Sequence, residues 1–86
     1  MAKYAVVVSQ SAEKELLKLP VAAILRIWEL IARLGEEPRP ADCKKLKGFK
    51  NLYRVCAGDY RVIYGIQDKT LTVDVLRVGD RKDIYS

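Results

Sequence analysis

The sequence predicts an α+β fold in which two helices cover one face of a four-stranded sheet. A short β-branched segment near the start is followed by two amphipathic stretches, which meet at Pro20 and form a helical hairpin. The second half holds three strand-like segments separated by tight turns, as in an antiparallel meander. The chain contains no internal repeat or low-complexity tract, so we expect a single domain over residues 1–86.

The first half supplies one strand and both helices. Residues 4–8 are β-branched or aromatic except for Ala5, and they are too few for a helix, which predicts a buried strand. Ser9 or Ser11 can cap the first helix, Pro20 ends it, and Gly35 closes the second. The apolar residues of the second helix recur every three or four positions, so we expect them in the core. They are Val21, Ile24, Leu25, Ile27, Trp28, Ile31 and Leu34.

The second half begins with a proline-containing loop over residues 36–41 and a basic connection over residues 44–51. Three strands follow, and the short turns between them make neighbouring strands antiparallel. The three strands are predicted over residues 52–57, 60–66 and 70–78.

Alternation along the strands predicts a polar face. Arg54 and Arg61 each stand in the middle of a strand, on the side opposite the apolar residues. Burying an unpaired guanidinium group is costly, so the two arginines should share the sheet face that the helices leave open. Arg61 could instead bond to Asp59 or Asp74, and these two interpretations stand nearly level.

Positive charge is concentrated in the second half. Residues 1–43 hold six basic and six acidic groups, whereas residues 44–86 hold ten basic groups against five aspartates. This asymmetry predicts a surface that faces a polyanion such as nucleic acid. A solvated charged loop explains Lys44, Lys45, Lys47 and Lys50 equally well.

Several classes of site are excluded by composition. The chain has no histidine, so neither a two-histidine ribonuclease mechanism nor a Ser/His/Asp triad is possible. There is no glycine-rich phosphate loop, and no carboxylate pair on the predicted polar face to hold a metal ion. Cys43 and Cys56 lack the spacing of a zinc site, and we expect free thiols, with Cys56 as a small packing residue. No apolar run is long enough to span a membrane, so we expect a cytoplasmic protein.

Four spaced motifs resemble the RelE/ParE toxin superfamily, and the RelE branch most. They are KLKG at residues 45–48, LYRV at 52–55, GDYRVIY at 58–64 and VGDRKDIY at 78–85. The resemblance covers nearly the whole chain. It implies a toxin that cleaves messenger RNA in the ribosomal decoding site, with the RNA's own 2′-hydroxyl as nucleophile and no cofactor. It also implies a cognate antitoxin that silences the toxin in a hetero-oligomeric complex, by wrapping the helical hairpin and the sheet edge.

The resemblance also assigns residues. Tyr85 matches the family's tail tyrosine, which acts near the 2′-hydroxyl, and Arg54, Arg61 and Arg81 match the cations that hold the phosphate. Tyr85 could instead anchor the tail, and Arg81 could pair with Asp80 or Asp83. The residues expected to contact messenger or ribosomal RNA are Lys44, Lys45, Lys47, Lys50, Arg77 and Lys82.

One position departs from the family pattern. RelE-like toxins commonly carry a second cation two residues beyond Arg54, where this chain has Cys56. A thiol supplies no positive charge, and losing one such group can raise a barrier by about 3 kcal/mol. Cys56 therefore leaves open a catalytically weak module kept for antitoxin binding and autoregulation. A ParE-like inhibitor of DNA gyrase on the same scaffold is a further alternative, although that branch need not keep Arg81 and Tyr85 together as this chain does.

Overall fold

A computed structural model describes residues 3–80 of the protein. Within them the helices are α1, Gln10–Leu17, and α2, Val21–Glu36. The strands are β1, Ala5–Val8; β2, Lys44–Lys45; β3, Leu52–Ala57; β4, Tyr60–Gln67; and β5, Thr72–Asp80. The predicted α+β order is confirmed, with shifts of one or two residues at several element ends.

The sheet has five strands rather than the predicted four, in the order β1-β5-β4-β3-β2. The additional strand lies in the basic connection, where Lys44 pairs with Arg54 and Lys45 with Tyr53. The chain folds back there as a hairpin because the Leu46 N–H donates to the Leu52 carbonyl at 2.9 Å. The three-stranded meander is confirmed, and β1 joins its far edge parallel to β5.

Local signals explain both helices. The Ser9 hydroxyl accepts the Ala12 N–H at 3.0 Å, so Ser9 rather than Ser11 caps α1. Pro20 immediately precedes α2, where a missing N–H costs no helical hydrogen bond. Helix α2 continues one residue past Gly35, and the Glu37 N–H closes it on the Arg33 carbonyl at 2.8 Å.

The helices pack on one face of the sheet, as predicted. The core side chains of α2 pack against those of β3, β4 and β5. Burial of these apolar side chains is the main stabilising contribution in a small domain. The helical members are Ala12, Leu16, Ile27, Leu30, Ile31 and Leu34, and the strand members are Val55, Val62, Tyr64, Ile66, Val73, Val75 and Val78.

The expectation that the whole apolar stripe of α2 is buried is wrong. Trp28 is 41% exposed, Leu25 60% and Val21 72%. The apolar surface of α2 is wider than the sheet beneath it can cover, because Ala23 and Leu30 on the opposite flank face the core instead. Leu17 at the end of α1 is also exposed.

A β-bulge resets the alternation of β5. Ile63 pairs with Arg77 and Tyr64 with Val75, so Leu76 has no partner of its own on β4. The extra residue lets Val75 and Val78 both point into the core although they are three positions apart. Arg77 is thereby turned to the open face of the sheet.

A polar network fastens the proline-containing loop to one end of the sheet. The Arg39 guanidinium pairs with Asp68 at 2.9 Å and lies over the Tyr53 ring, 5.4 Å from its centre. The Tyr4 hydroxyl donates to Asp68 at 2.7 Å, and the buried Tyr64 hydroxyl donates to the Pro38 carbonyl at 2.7 Å. These bonds from Arg39 and Tyr4 hold the pKa of Asp68 below its usual value.

Candidate functional site

Arg54 and Arg61 lie on the same, open face of the sheet. Directly paired residues of an antiparallel sheet share a face, and Arg54 pairs with Ile63 while Arg61 pairs with Cys56. Cys56 is two residues from Arg54 along β3, so the two arginines are diagonal neighbours, about 7 Å apart at their backbones. The prediction that they share the face opposite the helices is confirmed.

Three of the predicted cations lie in one row across this face. Lys44 on β2 pairs with Arg54 on β3, Arg54 with Ile63 on β4, and Ile63 with Arg77 on β5. Arg61 stands in the next row, between Cys56 and Gly79. We call Lys44, Arg54, Arg61 and Arg77 the cationic patch.

The surroundings of Arg61 leave room for a ligand at sheet level. Its two cross-strand neighbours, Cys56 and Gly79, are small, so no long side chain from β3 or β5 stands beside it in its row. Two nitrogens of its guanidinium group, Nε and Nη1, are buried. Arg54 and Arg61 each take part in at least one interaction with the rest of the chain.

Arg77 is held by helix α1. Its guanidinium pairs with the Glu15 carboxylate at 2.9 Å, and the same carboxylate accepts the Val78 N–H at 3.1 Å. Partial burial of Glu15 acts to raise its pKa, but the bonds from Arg77 and Val78 outweigh it and the pKa lies below its usual value. Glu15 therefore compensates part of the positive charge of Arg77. The predicted RNA contact would use that charge.

Cys56 is exposed, so the expectation of a small packing residue is wrong. It lies on the open face beside Arg61, which is where the family pattern places a second cation. The two thiols, Cys43 and Cys56, are free as predicted.

The basic stretch divides between two faces. Lys44 belongs to the cationic patch, whereas Lys45 pairs with Tyr53 and so points to the helix side of the sheet edge. Lys47 and Lys50 are exposed on the loop over residues 46–51, which joins β2 to β3. The lysines predicted to contact RNA therefore lie on different sides of the sheet and on the loop.

The predicted tail residues Arg81, Lys82 and Tyr85 lie outside the described residues. Their roles remain predictions. Within residues 3–80, no group of three or more cysteine, aspartate or glutamate side chains is placed to hold a metal ion. In the same part of the chain, neither helix has the length and apolarity needed to cross a bilayer.

The helical hairpin also exposes apolar residues that the sequence pattern had assigned to the core. Leu17, Val21, Leu25 and Trp28 are exposed together on the helical hairpin, and we call them the hairpin stripe. Positions 21, 25 and 28 follow the spacing of one helix face, so the stripe is continuous. The signal was present in the sequence, since α2 has apolar residues on more of its circumference than one sheet can bury.

The fold and sequence match known toxins. Residues 6–85 match the family described as the ParE toxin of type II toxin–antitoxin system, parDE. The toxin RelG of Mycobacterium tuberculosis is 31% identical over 83 residues, which cover 95% of each chain. The alignment extends over nearly all of both proteins, so the similarity is not confined to one motif.

Solved structures agree with the sequence matches. The archaeal RelE–RelB complex from Pyrococcus horikoshii contains a chain that superposes with a TM-score of 0.82 at 36% identity, covering 92% of this chain and 96% of that one. The intact RelBE toxin–antitoxin complex of E. coli gives a TM-score of 0.78 at 28% identity, covering 90% and 95%. The chain therefore belongs to the ParE toxin family within the RelE-like superfamily, and it is a toxin of a type II toxin–antitoxin system.

Proposed function

We propose that the protein is an endoribonuclease that cleaves messenger RNA in the decoding site of the ribosome. The observation that carries this proposal is the cationic patch, in which Arg54 and Arg61 project from adjacent strands on the face that the helices leave open. Two guanidinium groups at this spacing suit a single RNA phosphate, because each combines a permanent positive charge with N–H donors for its oxygens. Ribosomes and messenger RNA make the cytoplasm the place of action.

The chemistry needs charge stabilisation more than a metal or a histidine. The 2′-hydroxyl gives up its proton and its oxygen attacks the adjacent phosphorus. The bond from phosphorus to the 5′-oxygen breaks, and this oxygen takes up a proton, so that a 2′,3′-cyclic phosphate and a 5′-hydroxyl remain. Arg54 and Arg61 stabilise the extra negative charge of the pentacoordinate phosphorus. We assign Tyr85 to the attacking hydroxyl and Arg81 to the phosphate and leaving oxygen, as the family resemblance implies.

The experiment is cleavage of messenger RNA on programmed ribosomes. We expect cuts in the decoding site with 2′,3′-cyclic phosphate and 5′-hydroxyl ends, unaffected by EDTA. A message carrying a 2′-O-methyl group at the scissile nucleotide is the matched control, and it should stay intact. Cleavage of the methylated message, or 3′-hydroxyl products, would contradict attack by the 2′-oxygen.

The same purified protein can be tested for the alternative function, inhibition of DNA gyrase. A ParE-like inhibitor would leave programmed messages whole and trap cleaved DNA in a supercoiling reaction with gyrase. A catalytically weak binding module would do neither, yet would still bind its antitoxin. The cationic patch favours the RNA target, because it presents cations at sheet level where a single strand can lie.

We further propose that the cognate antitoxin covers the hairpin stripe. The relatives from Pyrococcus horikoshii and E. coli were solved as complexes of RelE with RelB. An amphipathic helix of the antitoxin would bury Trp28, Leu25 and Val21, since apolar residues at this spacing form the usual receptor surface for such a helix. The silenced toxin is then a hetero-oligomer.

A further inference from the structure

The loop over residues 46–51 exposes an aromatic ring. Phe49 is 56% exposed although phenylalanine normally loses much of its surface to the core. It is separate from the hairpin stripe, because it belongs to the β2–β3 connection rather than to the helices. Neither the core nor the cationic patch uses this ring.

The loop holds the ring out on a fixed base. The Leu46 N–H donates to the Leu52 carbonyl at 2.9 Å, and the Asn51 carbonyl accepts the Ile66 N–H at 3.1 Å. Between these anchors Gly48 adopts a φ of +83°, and a Cβ added there would meet nothing within 4 Å. The tip of the loop therefore projects into solvent, with Phe49 next to the turn.

Lysines lie on both sides of Phe49 in the sequence. Lys47 and Lys50 flank Phe49 in the sequence and are exposed, and Lys44 and Lys45 precede them on β2. No acidic residue occurs between Cys43 and Gly58. An exposed aromatic ring among cations is the arrangement that single-stranded nucleic acids need, with a flat surface for a base and charges for the neighbouring phosphates.

The loop is continuous with the cationic patch. Strands β2 and β3, which begin and end the hairpin, carry Lys44 and Arg54 on the open face. Leu52 at the base of the loop is two residues from Arg54, or about 7 Å along the strand. An RNA strand whose phosphate is held at Arg54 and Arg61 can therefore continue to the loop.

We propose that Phe49 is a stacking platform for an unpaired RNA base a few nucleotides from the scissile phosphate. This inference rests on the proposed ribonuclease function and adds a binding residue to it. Phe49 takes no part in the chemical step: it holds the single strand in register, while Lys47 and Lys50 neutralise the phosphates on either side. Duplex RNA should gain nothing from Phe49, because its bases are already stacked.

The test is direct binding of a labelled, unstructured RNA oligonucleotide with 2′-O-methyl groups throughout, which prevents cleavage. Fluorescence anisotropy at low salt gives the dissociation constant. Phe49→Ala and Phe49→Leu should each weaken binding about tenfold, whereas Phe49→Trp should retain it. Leucine is the matched control, since it keeps an exposed apolar side chain but cannot stack. A hairpin duplex of the same length should bind all four proteins equally.

Two results would overturn the inference while leaving the proposed function intact. One is single-strand binding by Phe49→Ala equal to that of the unmodified protein. The other is retained binding by Phe49→Leu, which would show that the side chain makes only an apolar contact. If the unmodified protein binds no single-stranded RNA and cuts no programmed message, the inference fails together with the proposed function.

Discussion

At the scale of single residues, the position opposite Arg61 decides how much positive charge this part of the open face carries. Cys56 is exposed there and adds no charge, while the family pattern commonly has a cation. The sequence correctly placed Arg54 and Arg61 on one face of the sheet, because side-chain alternation in a strand depends only on residue number. It misjudged Cys56, since a small apolar residue fits a core or a surface equally well and only the pairing register decides.

If the proposed cleavage is correct, replacing Cys56 by lysine should speed it. We expect Cys56→Lys to raise the single-turnover cleavage rate about tenfold or more, because one further donor would stabilise the developing phosphorane charge. Cys56→Ser is the matched control and should leave the rate unchanged. Equal rates for the lysine and serine variants would show that charge at this position does not limit cleavage.

At the scale of elements, helix α1 completes the edge of the sheet. Strand β1 pairs only with residues 72–75 of β5, so the remainder of β5 would expose unpaired backbone groups at that edge. Glu15 reaches across and accepts the Val78 N–H while pairing with Arg77. The sequence could not predict this contact, because it depends on a bulge that is visible only in the strand register.

The Glu15 contact makes stability depend on pH. The folded protein favours the charged carboxylate, so the stabilisation is complete above the usual pKa of 4.5 and is lost as pH falls through the lowered pKa of the folded state. Glu15→Gln should lower the free energy of unfolding by about 1 kcal/mol at neutral pH and by less at an acidic pH below the lowered pKa. Urea unfolding at both pH values measures this, with the exposed Glu13→Gln as control. A difference that does not change with pH would refute the assignment.

The hairpin stripe makes a separate prediction about the antitoxin. Trp28→Ala and Leu25→Lys should each weaken binding of the antitoxin about tenfold or more, because large side chains at the centre of an interface contribute most of its affinity. Both positions are exposed, so the melting temperature of the isolated toxin should change little. Leu71→Asn, an exposed apolar residue at a positive φ outside the hairpin, serves as control. Undiminished affinity in both stripe variants would place the antitoxin elsewhere.

At the scale of the whole molecule, the two sides of the sheet present different surfaces. The helices bury one side and present the hairpin stripe, while the other side presents the cationic patch. The order of helices and strands was predictable, since the spacing of apolar residues is a local property of the sequence. The charge asymmetry is read directly from the composition of the two halves. The fifth strand was not predictable, because Lys44 and Lys45 have no strand pattern of their own and become a strand only by pairing with β3. The exposure of Trp28 likewise depends on how much of α2 the sheet can cover.

The most direct measurement of the central claim is single-turnover cleavage of ribosome-bound messenger RNA by arginine variants. Arg54→Ala and Arg61→Ala should each slow cleavage about a hundredfold. Arg61→Lys keeps the charge but loses the planar guanidinium group, and its cleavage rate should fall between those of the alanine variants and the unmodified protein. Arg33→Ala removes an exposed arginine from the helix side and should cleave at the original rate. Folded Arg54 and Arg61 variants that cleave as fast as Arg33→Ala would contradict the account.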